Sequence, residues 1–225
     1  MTDRDILYRD PWILVCKKPP GMLSASGETD LPHRLAVLLA DQGEPNDIFV
    51  VHRLDRETGG IIVYARTAEA AAALSKSMRT GKVEKTYLAV IHGAPPAKTG
   101  VLRDLLFRDA AKNRSFVVKR RRKGVREAVL HYETLGTAVR EAESISLVKI
   151  KLETGRTHQI RVQFASRGEP LLGDGKYGAG CDTCRLALWS AALVFPHPED
   201  GGPVAFSCPP PGTFPWTAFP PDVLS

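Results

Sequence analysis

The sequence predicts an α+β fold, rich in strands and sparing in helices, without regular βαβ alternation. Three observations lead there. Short apolar, β-branched runs recur along the chain at Ile6-Leu7-Tyr8, Trp12–Val15, Ile48–Val51, Ile61–Tyr64, Lys85–Gly93, Val129–Leu135, Ser144–Leu152 and Leu186–Phe195. Helical spacing is confined to Leu31–Leu39, Ala68–Met78 and Thr157–Ala165. No repeat or linker interrupts the 225 residues, so residues 1–225 are expected to form one domain.

The elements follow in order. Asp10-Pro11 separates the first two strands, and Lys17-Lys18-Pro19-Pro20-Gly21 breaks the second. Leu35, Leu38 and Leu39 give the first helix its apolar stripe, which ends toward Gly43. Ile48–Val51 and Ile61–Tyr64 bracket Val51–Gly60, where Thr58-Gly59-Gly60 reads as a turn because glycine adopts positive φ freely. Asp55 therefore lies at a strand end or in a tight loop held from both sides. Catalytic side chains are often presented this way, and so are ordinary turn caps. Thr67 is the expected N-cap of the second helix, with Glu69 in its first turn and Gly81 past its end.

Residues 101–127 read as an excursion from the main sheet, a hairpin whose tip carries positive charge. Thr157 is the expected N-cap of the third helix, which sets Ile160 and Phe164 on an apolar face and His158 and Arg161 on another. Leu171–Gly178 is a loop, and a proline-rich tail from Pro196 is anchored by Phe206, Phe214, Trp216 and Phe219.

Charge narrows the function. The net charge of +6 is modest, but Lys112, Arg114, Lys119, Arg120, Arg121, Arg122, Lys123 and Arg126 fall close together with no acid among them. Such a block attracts polyanions, nucleic acid above all. Met1-Thr2-Asp3-Arg4-Asp5 lacks the apolar segment of an export signal, no run is long enough to span a bilayer, and a cytoplasmic location is expected. Disulfides among Cys16, Cys181, Cys184 and Cys208 are then not expected. Cys181 and Cys184 have CxxC spacing, and His197 and Cys208 could in principle join them around zinc. No second CxxC completes that site, so a surface loop without metal is the reading.

No phosphate-binding GxxxxGK[ST], dinucleotide fingerprint or Gly-x-Ser-x-Gly elbow is present. What remains is a carboxylate on a strand-flanked loop, several arginines, a tyrosine near a lysine, and a basic arm. A carboxylate kept ionised by a nearby cation can act as a nucleophile, arginine positions a polyanionic backbone, and tyrosine can stack on a base. The set suits work on RNA without metal.

His52-Arg53-Leu54-Asp55-Arg56-Glu57-Thr58-Gly59-Gly60 resembles the HRLDxxTSG signature of the RluA-type pseudouridine synthases. Lys85-Thr86-Tyr87-Leu88-Ala89 resembles the family's K-x-Y-x-A, Thr154–Arg161 its TGRxHQIR, and Gly173–Gly178 its GDxxYG. Arg185-Leu186-Ala187-Leu188 followed by Phe195-Pro196-His197-Pro198 is similar to its RLxLHA…FxHP. One such motif is weak; the ordered set is specific. The resemblance implies a mixed, mostly antiparallel sheet in two halves with flanking helices and a central active-site cleft. It implies cofactor-free isomerisation of uridine to pseudouridine, with Asp55 attacking the sugar or acting at it to labilise the base. Arg161 matches the residue that pairs with that carboxylate, and Tyr87 the tyrosine that stacks on the target base and is a candidate proton acceptor. Arg53 matches the arginine that fills the gap left by the flipped nucleotide. Leu186 or Leu188 would wall the pocket, and Arg156 and His158 would contact RNA.

Two positions depart from the pattern: Gly59 stands for the usual Ser and Trp189 for a common His. No S4-type RNA-binding domain is expected ahead of the first motif. RNA recognition then falls to this domain, with Arg120, Arg121 and Arg122 gripping a stem-loop of ribosomal or transfer RNA. No membrane or obligate protein partner is expected. Two rivals stand beside this reading. One is a non-catalytic RNA-binding protein on the same scaffold, and the other a DNA-binding or zinc protein using the basic arm and the CxxC.

Overall fold

The computed structural model describes residues 2–25, 27, 29–140, 143–178, 180 and 184–224. The chain divides into two compact units, Met1–Lys85 with Ser190–Pro209, and Thr86–Trp189 with Pro210–Ser225.

The first unit contains β1 (Ile6–Arg9), β2 (Ile13–Lys18), α1 (Leu31–Asp41), β3 (Phe49–Val50), β4 (Gly59–Ala65) and α2 (Ala68–Arg79). β10 (Leu188–Pro196) and β11 (Pro203–Ser207) complete it. Its strands run in the order β1-β2-β4-β10, with β3 paired to β4 and β11 to β10. The β1–β2, β2–β4, β3–β4 and β10–β11 ladders are antiparallel. Every residue of β4 is buried, which explains why Ile61-Ile62-Val63-Tyr64 is a continuous apolar run and not an alternating one. Leu31, Leu35 and Leu39 recur at i,i+4 and are fully buried, so α1 is amphipathic as predicted. Asp30 caps it by accepting from His33 N, and Thr67 caps α2 by accepting from Ala70 N.

The second unit contains β5 (Glu84–His92), β6 (Thr99–Asp109), β7 (Arg114–Val118), β8 (Val125–Arg140), β9 (Glu143–Leu152) and α3 (Gln159–Ala165). Its order is β5-β9-β8-β6-β7, and each of these neighbours is antiparallel. Leu106, Ala128 and Val162 pack into one cluster and bring α3 against the inner face of β6 and β8.

Several elements differ from the sequence reading. Lys17-Lys18 does not break β2; both lysines belong to it. The apolar run 48–51 yields only the two-residue β3, both residues exposed, because a single short ladder to β4 holds it. Gly59 and Gly60 are not a turn but the first residues of β4. Residues 101–127 are not an excursion. Leu102 and Leu106 of β6 are buried, and β6 pairs with β8 on one side and β7 on the other. The hairpin tip at residues 110–113 carries only Lys112, while Lys119–Lys123 lie in the β7–β8 connection. β11 is a further strand, and its Phe206 ring lies 5.3 Å from that of Tyr8. Of the tail anchors, Trp216 and Phe219 are buried. Cys181 of the CxxC lies outside the described residues. No helix among the described residues is long and apolar enough to cross a membrane.

Candidate active site

In the first unit the connection from β3 to β4 carries Arg53, Asp55 and Arg56 outward and Leu54 inward. Its backbone is fixed by two buried polar residues that sequence reasoning did not single out. Lys18, fully buried at the end of β2, donates from Nζ to the carbonyls of Pro19 (3.0 Å), Met22 (2.7 Å) and Arg56 (2.9 Å). Burial pushes the Lys18 ammonium down to about 8, with the carboxylates of Glu57 and Asp55 pulling the other way. Ser24 Oγ donates to Leu54 O at 2.9 Å and accepts from Leu54 N at 3.1 Å. Gly21 N to Arg56 O at 2.8 Å and Arg56 Nε to Gly21 O at 3.0 Å close the other side. Asp55 is thus the half-exposed residue between two pinned neighbours, and its own carbonyl accepts from Thr58 N at 3.1 Å.

His52 supports the same loop from beneath. Its Nε2 accepts from Val63 N at 3.1 Å, so the ring proton sits on Nδ1. Burial first, and then the charge of Lys85, push its pKa down to about 3, and the ring is neutral. It is a structural histidine. Where the chain enters β4, Gly60 has φ 108° and its Cα faces the Ser190 backbone so closely that a Cβ would lie 2.2 Å from Ser190 O. That approach, not a turn, is what the glycine permits.

In the second unit Tyr87 is buried in β5, opposite Ile150 of β9. Thr157 is not the cap of α3; its carbonyl accepts from Ser115 Oγ at 2.6 Å. The cap position belongs to His158, held in the left-handed region at φ 54°. A non-glycine residue there is uncommon and stays only where its surroundings fix it. Here His158 Nδ1 bonds the Tyr177 hydroxyl at 2.9 Å. Gln159 ties down the approach, with Oε1 accepting from Thr154 Oγ1 (2.8 Å) and Arg156 N (3.0 Å). Arg156 is exposed, and its Nε donates to Glu127 O at 2.9 Å.

Arg161 is buried and makes a two-pronged pair with Asp174, Nε to Oδ2 at 2.8 Å and Nη2 to Oδ1 at 2.7 Å. Asp174 Oδ1 also accepts from the backbone N–H groups of Lys176 and Tyr177. Burial alone would raise the Asp174 carboxyl. The hydrogen bonds and charge of Arg161, with those two N–H groups, outweigh it and hold the carboxyl below its ordinary value. Tyr177 completes the cluster: its hydroxyl accepts from Ser115 N at 2.7 Å and its ring lies 5.3 Å from the Arg161 guanidinium. Gly173 lets the loop close, since a Cβ there would lie 2.4 Å from Arg185 O. Leu186 and Leu188 are buried, and Arg53 and Arg120–Arg122 are exposed.

The predicted residues therefore fall in two settings. Asp55 and Arg53 share the pinned loop of the first unit, and Arg161 and His158 share the Asp174–Tyr177 cluster of the second. Asp174 and Tyr177 were visible only as motif letters. Lys18 and Ser24 gave no signal beyond a Lys-Lys-Pro-Pro-Gly run that reads as a turn.

A profile of the RNA pseudouridylate synthase family matches residues 12–166. An uncharacterised RNA pseudouridine synthase of Bacillus subtilis (strain 168) is 37% identical over 200 residues, covering 86% of this chain; the chain spans only 64% of that relative's own length. The dual-specificity RNA pseudouridine synthase RluA of Yersinia pestis is 34% identical over 213 residues, covering 90% of this chain and 97% of the relative. Among solved structures, human RNA Pseudouridylate Synthase Domain Containing 4 superposes with a TM-score of 0.77 at 25% identity, over 92% of this chain and 89% of that one. The α+β, mostly antiparallel architecture expected from the sequence is the fold of that protein.

Proposed function

Because the chain belongs to the RNA pseudouridylate synthase family, we propose that it isomerises uridine in structured RNA to pseudouridine without a cofactor. The observation that carries this is Asp55, half-exposed on a loop whose neighbours are immobilised by Lys18 and Ser24. Pinned backbone on both sides presents a carboxylate in a fixed position, as a nucleophile requires. In the reaction the N1–C1′ bond of uridine breaks, the uracil turns, and a C5–C1′ bond forms. C5 loses a proton and N1 gains one, so atoms balance with no co-reactant. Asp55 acts at the sugar, Tyr87 stacks on the base and receives the proton, and Arg161 serves the charge of the catalytic carboxylate. Arg53 fills the stack vacated by the flipped nucleotide, while Leu186 and Leu188 offer the base an apolar wall. The exposed Arg120, Arg121 and Arg122, with Arg156 and His158, contact RNA.

Relatives are named for ribosomal and transfer RNA, and we infer one of these as substrate and the cytoplasm as location. The test is pseudouridine formation in ribosomal and transfer RNA transcripts by the purified protein and by Asp55→Asn and Asp55→Ala. Both variants should lose about 10⁴-fold or more in rate, equivalent to about 5 kcal/mol of transition-state stabilisation. Activity surviving in the folded variants would overturn the mechanism. RNA binding without isomerisation by the wild type would favour a non-catalytic RNA-binding protein.

A further inference from the structure

Several arginines of the second unit are held by a carboxylate. Arg161 holds Asp174 at 2.7 Å and Arg167 holds Asp104 at 2.9 Å. Even the exposed Arg103 and Arg121 share Glu127, at 3.3 and 3.7 Å. Arg114 breaks this pattern. It opens β7 and is half-buried, with its guanidinium carbon 5.0 Å from the Tyr177 ring centre and 5.7 Å from that of Phe116. Its Nε is shut away from solvent with no hydrogen-bond partner among the described residues. The residue directly across the ladder is an acid, Asp109, but that carboxylate turns into the hairpin and accepts from Lys112 N at 3.0 Å.

A guanidinium keeps its charge at every pH a protein meets, so it cannot escape burial by deprotonating. Taking it partly out of water without a counter-ion is costly, and the two ring faces recover only part of that cost. The surroundings add positive charge, and the acids nearby are engaged elsewhere, Asp109 by Lys112 N and Asp174 by Arg161. Lys176 is close by, donating to Asn113 O at 2.9 Å, and Lys119–Lys123 lie past the other end of β7. The site is therefore incomplete for a cation and ready for an anion. The planar fork suits two oxygens of one phosphate, and Tyr177 and Phe116 fix its plane.

We propose that Arg114 is a phosphate seat: its guanidinium binds one phosphodiester of the RNA strand. Tyr177 couples the seat to the candidate site, since the same ring lies against Arg161 and its hydroxyl bonds His158. The proposal rests on the RNA reading given above and adds where the backbone is held. It separates Arg114 from the exposed arginines around it, which approach the polyanion loosely through solvent.

Two measurements test it. In the wild-type protein, the Nε–H resonance of Arg114, assigned by its loss in Arg114→Lys, should shift when a transfer or ribosomal RNA stem-loop is added. In Arg114→Met, affinity for that RNA at low salt should fall about tenfold, and the slope of log Kd against log [NaCl] should become shallower by about 0.7–0.9. A mere brace for Tyr177 would lower melting temperature without changing the slope. An unmoved Nε resonance at saturating RNA, or an unchanged slope in the folded Met variant, overturns the seat. If the wild type neither binds nor modifies RNA, the underlying reading fails and the seat with it. If it does both while the slope is unchanged, the seat alone fails.

Discussion

The loop around Asp55 and the cluster around Arg161 both depend on a buried cation, and they hold it by opposite means. Lys18 is surrounded by main-chain carbonyls from Pro19, Met22 and Arg56, with no carboxylate among the described residues bonded to its Nζ. Arg161 is neutralised by Asp174 in a two-pronged pair. The lysine therefore organises backbone, drawing the 19–22 stretch and the Arg56 carbonyl toward one point. The ion pair organises a side chain, fixing the plane and position of one guanidinium. The electrostatic signatures follow: burial drives the Lys18 ammonium toward its neutral form, whereas pairing keeps Asp174 ionised.

The comparison breaks most visibly at Asp174. Asp174→Asn keeps the shape but removes the carboxylate charge that holds a buried guanidinium, and should cost about 3–5 kcal/mol in denaturant unfolding. A loss below about 1 kcal/mol would mean that Arg161 is not held by this pair. The sign of the pH dependence also follows. The folded-state pKa of Asp174 lies below its unfolded value of 3.8, so its stabilisation is complete above that value and is lost as pH falls through the folded one. The stability gap between wild type and variant should stay constant at neutral pH and close in acid.

That prediction concerns a residue the sequence displayed without explaining. Asp55, Tyr87 and Arg161 stand out as candidates because each sits in a motif whose letters are chemistry. The helices were legible because Leu35, Leu38 and Leu39 mark an apolar stripe in the first and Thr67 the start of the second, while the Asp30 cap of the first was not singled out. Lys18 was not, because a lysine beside prolines and glycine looks solvated, and only the three-dimensional return of Arg56 O shows otherwise. His158 was misread for a related reason: Thr157 has the side chain of a cap, yet the tie to Tyr177 holds His158 in the capping position. The 101–127 segment was misplaced because its charge is dense in sequence, while the two leucines that put β6 inside the sheet are sparse. Local propensity lost to long-range hydrogen bonding in the first two cases and to packing in the third.

Lys18→Met sharpens the contrast from the other side. Methionine fills the space but leaves the Pro19 and Met22 carbonyls without their donor and Arg56 O with Gly21 N alone, and should cost about 2–4 kcal/mol. Its pH behaviour should differ from that of the ion pair. The folded-state pKa of about 8 lies below the unfolded 10.5, so the unfolded chain binds more protons between those values. The wild type should then gain stability over Lys18→Met as pH rises from about 8 to about 10.5, measured by paired melting curves. The Asp174→Asn gap should be flat across the same window. A flat Lys18 gap would show that the carbonyl cage favours the ammonium enough to cancel its burial.

The smallest effect separates backbone position from stability. At Gly60 a Cβ would meet Ser190 O at 2.2 Å, and the backbone is at φ 108°, where side chains are strained. Gly60→Ala should cost about 1–3 kcal/mol as β4 shifts away from β10. The same shift moves the strand that begins only four residues after Asp55. Uridine isomerisation should therefore fall more, relative to lost stability, than it does in Gly81→Ala, where a Cβ meets nothing within 4 Å and only the strained φ of 71° is at stake. Measured on folded protein at equal melting-curve position, an equal loss in both variants would mean that the Asp55 loop is held by Lys18 and Ser24 alone. A larger loss at Gly60 would make the close approach of β4 to Ser190 a third support of the Asp55 loop.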